Sequence, residues 1–125
     1  YIAAAPTEAD TGNYALWVDA GTSRFDGPIV RTNAVIADGD TTPDVSGSSW
    51  FTTSSNTGAT AITDLDLPVV GSTLCIVGGS ATNSSTIADS GNFNLTAAFT
   101  AGLDDVLCLY VQADNDYIEV SRADN

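Results

Sequence analysis

The amino-acid sequence predicts an all-β protein, and three observations support this prediction. No stretch of the chain shows apolar residues with a sustained helical period of 3.6. Short β-prone patches alternate with turn residues instead, and from Trp50 onward their centres recur roughly every 8–13 residues, as in sandwiches, barrels and β-solenoids. Gly, Ser, Thr and Asn make up 47 of the 125 residues, a composition of turns and strands rather than of helices.

Ten patches are predicted to be strands or strand fragments. In chain order they are Tyr14–Val18, Ile29–Val30, Val35–Ala37, Trp50–Thr53, Ala59–Leu65, Thr73–Val77, Thr86–Ala88, Phe93–Phe99, Val106–Val111 and Tyr117–Ser121. Glycines fall mostly between these patches, because a positive φ costs little only for Gly. Pro28, Pro43 and Pro68 lie at patch edges, where a missing N–H removes no ladder hydrogen bond.

The chain is predicted to have three segments. Residues 1–13 are Ala-rich with little β-propensity, which indicates a linker or the end of an upstream segment. Residues 14–45 form one block, and residues 46–125 form a denser, more apolar block that ends in an alternating strand and a polar stub. The chain starts at Tyr1 without an initiator Met or a signal-peptide pattern, so we expect it to be the end of a longer or processed polypeptide.

The charge balance excludes several classes of function. There are 16 acidic residues, 14 of them Asp, against 3 Arg and no Lys, which gives a formal net charge of −13. Such a surface repels the phosphates of nucleic acids and of anionic lipids. No apolar run approaches the ~18 residues that a membrane span needs. With no His and only two Cys, the chain cannot build a His-based catalytic site or a zinc cluster by itself.

Two strongly apolar runs, Leu74–Val77 and Val106–Val111, lack alternation and are therefore predicted to be buried on both faces. In a chain of this size the second face is covered most easily by identical chains. This favours a parallel homotrimer with a triangular β cross-section, in which short strands line a shared axis. An immunoglobulin-like sandwich is disfavoured because Trp50 precedes both cysteines, whereas a jelly roll stays open.

Five stretches, residues 14–27, 38–65, 71–79, 85–102 and 106–125, resemble the C-terminal regions of bacteriophage tail fibres and tailspikes. Related segments occur in tail-fibre-like adhesins of bacteria. The most characteristic pieces are Gly39–Gly47 (GDTTPDVSG), Thr60–Leu65 (TAITDL) and Ile118–Asn125 (IEVSRADN), and none of them is a catalytic signature. The chain departs from the family at Cys75 and Cys108, where aliphatic residues are expected, and at Tyr117, where the family tends to have Trp.

The resemblance implies a trimeric β-helix or β-prism-like fibre segment, with residues 14–45 as a β stalk and residues 46–125 as the C-terminal tip domain. It implies an extracellular location on a virion and a structural, host-attachment function without catalysis. The expected partners are further copies of the chain, other virion tail proteins and a host cell-surface glycan or protein, with no nucleic acid and no membrane insertion. Three alternatives stay open: a monomeric jelly-roll carbohydrate-binding module, a bacterial surface adhesin and a depolymerase.

Asp38, Asp40 and Asp44 are the candidate metal ligands. Three carboxylates within seven residues around a Gly can converge on Ca²⁺, which takes about 6–8 oxygen ligands. The spacing breaks the EF-hand pattern, because Thr42 replaces the third acid. The alternative is an Asp-Gly turn followed by a Pro-Asp turn with solvated carboxylates. No other cofactor is expected.

Cys75 and Cys108 lie in the two most apolar runs. A disulfide would close a loop of about 33 residues and stabilise the fold by about 3–4 kcal/mol in the chain-entropy model. The interpretation that we favour is two buried free thiols that act as small apolar residues.

Receptor contact is predicted for Tyr117, together with its neighbours Asn115 and Asp116, and for Trp50. Tyr117 lies close to the end of the chain among polar residues and is expected to be exposed. Trp50 follows a Ser/Gly turn and is expected to pack across chains, whereas Tyr110 is expected in the core. A glycosidase would need paired carboxylates, and the candidates are Asp104 with Asp105, or Asp114, Asp116 and Glu119. Acids are common in such turns without a catalytic role.

Overall fold

The computed structural model describes Asp26 and residues 30–125. The chain divides into two compact units, Tyr1–Val30 and Arg31–Asn125. The predicted strand Tyr14–Val18 and the predicted linker 1–13 lie outside the described residues. Nine strands follow in order: β1 (Asn33–Ile36), β2 (Trp50–Thr53), β3 (Thr60–Ile62), β4 (Thr73–Val77), β5 (Ser85–Ile87), β6 (Phe93–Asn94), β7 (Phe99–Ala101), β8 (Val106–Ala113) and β9 (Asp116–Ala123).

The strands form two sheets, and no helix occurs among the described residues, which confirms the all-β prediction for this part of the chain. One sheet has six strands in the order β1-β2-β4-β8-β9-β6, and the other has three in the order β3-β5-β7. Strands β1, β2 and β4 run parallel, as do β3 and β5. The pairs β4–β8, β8–β9 and β5–β7 are antiparallel.

The parallel strands arise because the chain coils from one sheet to the other. Trp50 pairs with Cys75 in the six-stranded sheet, and Thr60 pairs with Ser85 in the three-stranded sheet, so both registers repeat after 25 residues. Parallel neighbours need a crossover connection, and here β3 supplies it between β2 and β4, and β4 supplies it between β3 and β5, in place of a helix. We call this winding, from β1 to β5, the coil.

One hydrophobic core joins the two sheets. It takes inward residues of the six-stranded sheet, such as Phe51 and Ile76, and inward residues of the three-stranded sheet, such as Ile62 and Phe99. The alternating burial of β3, β5 and β7 follows from the period of two along a strand. Because each chain encloses this core itself, the core does not require a second copy.

A buried amide ties successive turns of the coil together. Asn56 is 4% exposed, and its Oδ1 accepts a hydrogen bond from Gly39 N at 3.3 Å. Its Nδ2 donates to Asn83 O and to Ser85 Oγ, each at 3.0 Å. The side chain thus links the loop that contains Gly39 to the segment that contains Asn83 and Ser85. Its buried nitrogen and oxygen atoms all have hydrogen-bond partners.

A glycine pair allows the backbone to approach itself closely after β4. A Cβ added to Gly78 would lie 1.6 Å from Gly102 O, and one added to Gly79 would lie 1.9 Å from Thr53 O. Gly78 also exchanges backbone hydrogen bonds with the next loop, since its N donates to Asp105 O and its O accepts from Asp104 N. Only glycine fits at these two positions.

An antiparallel hairpin of β8 and β9 ends the chain. Its turn contains Asn115, whose φ is +60°, and the pairing shifts between Cys108 and Leu109 and again between Val111 and Ala113. The predicted patch Phe93–Phe99 is divided into β6 and β7, because the backbone between them bonds to side chains rather than to a strand.

Candidate functional site

Tyr117 is not at the surface, so the prediction that it is exposed is wrong. It is 0% exposed, and its ring centroid lies 5.0 Å from that of Phe93. The hydroxyl lies 3.0 Å from both Asp64 Oδ1 and Leu65 O, two acceptors that share its single proton. The alternation of β9 turns Tyr117 inward opposite Val111, which position near the end of the chain does not reveal.

The surroundings of the Tyr117 hydroxyl oppose its deprotonation. Burial raises its pKa to about 12, and the neighbouring Asp64 carboxylate adds to the shift because it opposes a second negative charge. Asp64 also accepts from Leu65 N at 2.8 Å. With its amide oriented to donate, Asn115 Nδ2 lies 3.1 and 2.8 Å from the two Asp64 oxygens. Asp64 therefore anchors the end of the hairpin to the coil.

The other predicted receptor contacts do not form one site. Asn115 is exposed but is directed to Asp64, and Asp116 is half-buried and accepts from Asn94 Nδ2 at 2.9 Å. Trp50 lies on β2, two strands away from β8. The hairpin turn and Trp50 are therefore separate features of the six-stranded sheet.

The outer face of the six-stranded sheet is an uncharged surface, which we define by the side chains that point away from the core. Register places them in three rows: Val35, Thr52, Val77, Val106 and Ala123; Asn33, Trp50, Cys75, Cys108 and Ser121; Thr73, Tyr110, Ile118 and Asn94. Val35 is 71% exposed, Trp50 36% and Tyr110 38%. Tyr110 was expected in the core, but in the alternation of β8 its side chain points outward, like those of Val106 and Cys108.

Cys75 and Cys108 form a disulfide, so the interpretation as free thiols is wrong. They are direct partners in the β4–β8 register, and their Cα atoms are 4.0 Å apart. The bond lies on the outer face beside Trp50, because the side chains of both cysteines point away from the core in the alternation of their strands. It joins the coil covalently to the closing hairpin.

The three aspartates proposed as metal ligands do not converge. Asp38 Oδ1 accepts from Thr57 N at 2.9 Å, Asp40 Oδ1 from Thr42 N at 3.0 Å and Asp44 Oδ1 from Ser46 N at 2.8 Å. The last contact lowers the pKa of Asp44. No cluster suited to a metal ion occurs among the described residues. Each carboxylate instead caps a different piece of backbone, as short Asp side chains do in turns.

Glu119 accepts several hydrogen bonds from Arg122 and Thr96. Its Oε1 lies 2.7 Å from Arg122 Nε and its Oε2 lies 2.8 Å from Arg122 Nη2. Thr96 N and Thr96 Oγ1 donate to Oε2 at 2.8 and 3.0 Å. The guanidinium of Arg122 and these donors lower the pKa of Glu119 to about 2. Arg122 continues to Ala97 O at 2.8 Å and packs over the ring of Phe99.

The carboxylate of Asp105, another acid considered for glycoside hydrolysis, also makes structural contacts. Asp105 accepts from Gly102 N at 3.1 Å and from Asn125 N at 2.7 Å, and Asp104 lies in the turn with a φ of +65°. These contacts hold the loop before β8 and the end of the chain, as turn acids commonly do. Neither acid lines the open groove beside the three-stranded sheet.

One open groove of about 230 Å³ lies against the three-stranded sheet. Hydroxyl and amide side chains of Thr63, Thr86, Ser90 and Asn92 line it together with apolar residues that include Phe93. It contains no ionisable group, so it offers hydrogen bonds but no acid, base or nucleophile paired with a base.

The comparisons with known proteins leave the chain without a matching relative. No protein-family model, no curated protein and no solved structure matches it. Within the described residues, no helix is long and apolar enough to cross a membrane.

Proposed function

We propose that the chain is a non-catalytic, structural and host-attachment segment of a viral tail fibre or spike, and that it acts as a homotrimer. The observation that carries the proposal is the coil, in which one parallel pair in each sheet, β2–β4 and β3–β5, is offset by the same 25 residues. Such winding makes an elongated scaffold by stacking turns, as in β-solenoids. The resemblance of most of the chain to tail-fibre ends agrees with it.

The contacts of the ionisable groups support binding rather than a chemical step. Glu119 is held as a carboxylate by Arg122, and Asp64 is occupied by the hairpin. A general acid needs a pKa raised towards neutral pH, whereas the shifts of Glu119 and Asp44 are downward. In the proposed function, weak sites on each chain gain avidity because three copies act together.

The mass of the full chain in native buffer tests the proposal. A species of three times 12.8 kDa that binds host cells or host surface extract supports it. A monomer at all concentrations contradicts it. Reducing-sugar release from host polysaccharide that is lost in an Asp104→Asn/Asp105→Asn variant would contradict the non-catalytic part.

A second candidate function is a monomeric carbohydrate-binding module. Two observations favour it: the core closes within one chain, and Trp50 and Tyr110 both stand half-exposed on one sheet face. Aromatic rings on a flat face can stack on sugars. A glycan array read with the monomer, and repeated with Trp50→Ala, distinguishes this function from the fibre.

A further inference from the structure

We propose that the outer face of the six-stranded sheet is the surface through which copies of this chain meet, and that in the homotrimer it lines the shared axis. This inference rests on the proposed function and names the contact surface within it. The occupant of the face is therefore a second copy of the same chain.

The first argument is that the two central strands are apolar on both sides. Leu74, Ile76 and Leu109 belong to the core, while Val77 and Val106 point outward next to the disulfide. Strands that read as continuous apolar runs are usually covered on both faces. In the described structure the outward side chains other than Cys75 remain half-exposed or exposed. An uncovered apolar sheet face commonly marks a protein contact.

The second argument is charge. The chain carries a formal charge of −13, yet none of the fourteen residues in the three outward rows is an Asp, Glu, Lys, Arg or His. Acids lie at the two ends of the face instead, with Asp105 and Asp124 at one end and Asp114 at the other. Two copies of a strongly acidic chain repel each other least where neither presents a carboxylate.

The third argument is that the two edges of the sheet carry unlike charges at the same end. Arg31 is exposed two residues before β1, which forms one edge. Asp114 and Asp116 lie at the turn between β8 and β9, near the other edge. The first residue of β4, Thr73, pairs with Tyr110 near the end of β8, so β4 begins at the end of the sheet where this turn lies. Because β1 and β4 run parallel, β1 begins at the same end. In a closed ring of head-to-tail contacts, one edge meets the opposite edge of the next copy.

The size of the face suits assembly of several copies. Five strands about 4.8 Å apart and three rows about 6.7 Å apart cover roughly 480 Å² per chain. Two such faces together reach only about 1,000 Å², which is the lower limit for a specific interface. Three such faces around a shared axis together bury about 1,400 Å², which lies within the range of specific interfaces.

A glycan is the competing occupant, and the face suits it less well. Sugar sites place hydrogen-bonding groups beside their aromatic platforms in a concave pocket. Between Trp50 and Tyr110 lies the disulfide, and the adjoining row holds Val77 and Val106. The hydrogen-bonding side chains lie mostly at the margins of the rows.

Val35→Glu in the full chain tests the inference. Val35 is 71% exposed, so the substitution leaves the core intact but places three carboxylates around the axis. We expect the dissociation constant of the trimer to rise at least about tenfold, as like charges in an interface do. Thr100→Glu puts the same charge on an exposed position of β7 in the other sheet and should leave the constant unchanged.

Arg31→Glu gives a second measurement. We expect a smaller rise, about threefold in low salt, that disappears above about 0.5 M salt because exposed charges are then screened. Sedimentation equilibrium of each variant over a concentration series provides the constants, and circular dichroism verifies the fold.

The outcomes separate this inference from the proposed function. A wild-type trimer whose constant is unchanged by Val35→Glu overturns the inference and leaves the proposed function standing. A wild-type monomer overturns both. Loss of glycan binding in Val35→Glu with the trimer intact assigns the face to a sugar and also overturns the inference.

Discussion

The coil and the closing hairpin are stabilised in different ways. In the coil, parallel backbone pairing combines with buried apolar side chains such as Phe51 and Ile62 and with one buried amide, Asn56. The hairpin of β8 and β9 is attached by specific long-range contacts: the Tyr117–Asp64 bond, the Glu119–Arg122 pair and the Cys75–Cys108 disulfide. We therefore expect the coil to be sensitive to steric changes, and the hairpin to be sensitive to pH and to reduction.

The largest effect is expected from Gly78→Ala. The added Cβ would lie 1.6 Å from Gly102 O, a backbone atom that cannot rotate away. We expect a loss of about 3 kcal/mol or more in the free energy of unfolding, up to failure to fold. Gly47→Ala is the matched control, since its Cβ meets no atom within 4 Å. Chemical denaturation measures both, and equal stabilities would contradict the close approach.

Removal of the disulfide should have the next largest effect. In a Cys75→Ala/Cys108→Ala variant the unfolded chain regains the freedom of a loop with a sequence separation of 33. The chain-entropy model gives a loss of about 3–4 kcal/mol. Amide exchange should show β8 and β9 losing protection before the coil, because the bond joins the two regions. If all strands lose protection together, the coil and the hairpin are one cooperative unit.

The sequence predicted the strands better than their arrangement. The bounds of β2 and β4 agree with the predicted patches, because local β-propensity and flanking turn residues determine them. The 25-residue register of the coil was missed, although residues 40–64 and 65–89 are identical at six positions spaced by 25. These are Pro43/Pro68, Val45/Val70, Ser55/Ser80, Thr57/Thr82, Ile62/Ile87 and Asp64/Asp89. An internal comparison at that period is the signal that would have predicted the register.

The candidate site was predicted less well, for a physical reason. Whether Tyr117 and Tyr110 point inward depends on the parity of β9 and β8, and a shift of one residue exchanges the two faces. The pairing of Cys75 with Cys108 likewise depends on the antiparallel register of β4 and β8. Polar neighbours in the sequence, such as Asn115, indicated exposure of Tyr117, but Asn115 itself bonds to Asp64.

A smaller and pH-dependent effect is expected from Glu119→Gln. The pKa of Glu119 is about 2 in the folded protein and near 4.5 when unfolded, so its contribution is complete above about pH 5 and is lost as the pH falls towards 2. We expect the variant to be less stable by about 1–3 kcal/mol at pH 6, with the difference vanishing near pH 2. Urea denaturation at several pH values measures this.

Arg122→Lys separates charge from geometry at the same site. It keeps the positive charge but cannot make both contacts to the two Glu119 oxygens. At pH 6 we expect its free energy of unfolding to lie between that of the wild type and that of Glu119→Gln. A difference between wild type and Glu119→Gln that stays constant from pH 6 to pH 2 would contradict the role of the Glu119 charge.

The smallest effect is expected from Tyr117→Phe, and it appears at the opposite end of the pH scale. The variant loses one hydroxyl and leaves Leu65 O without that donor, which costs about 1 kcal/mol at pH 7. The pKa of Tyr117 is raised from 10 to about 12, so the neutral hydroxyl stabilises the fold below pH 10, and this stability is lost as the pH rises from 10 to 12. Thermal melts over this range should show a steeper alkaline decline in the wild type than in the variant. The control is Tyr110→Phe, which alters a half-exposed side chain on the outer face and should lose stability with rising pH as the wild type does. If Tyr117→Phe also loses stability as steeply as the wild type, the buried hydroxyl does not couple the hairpin to the coil.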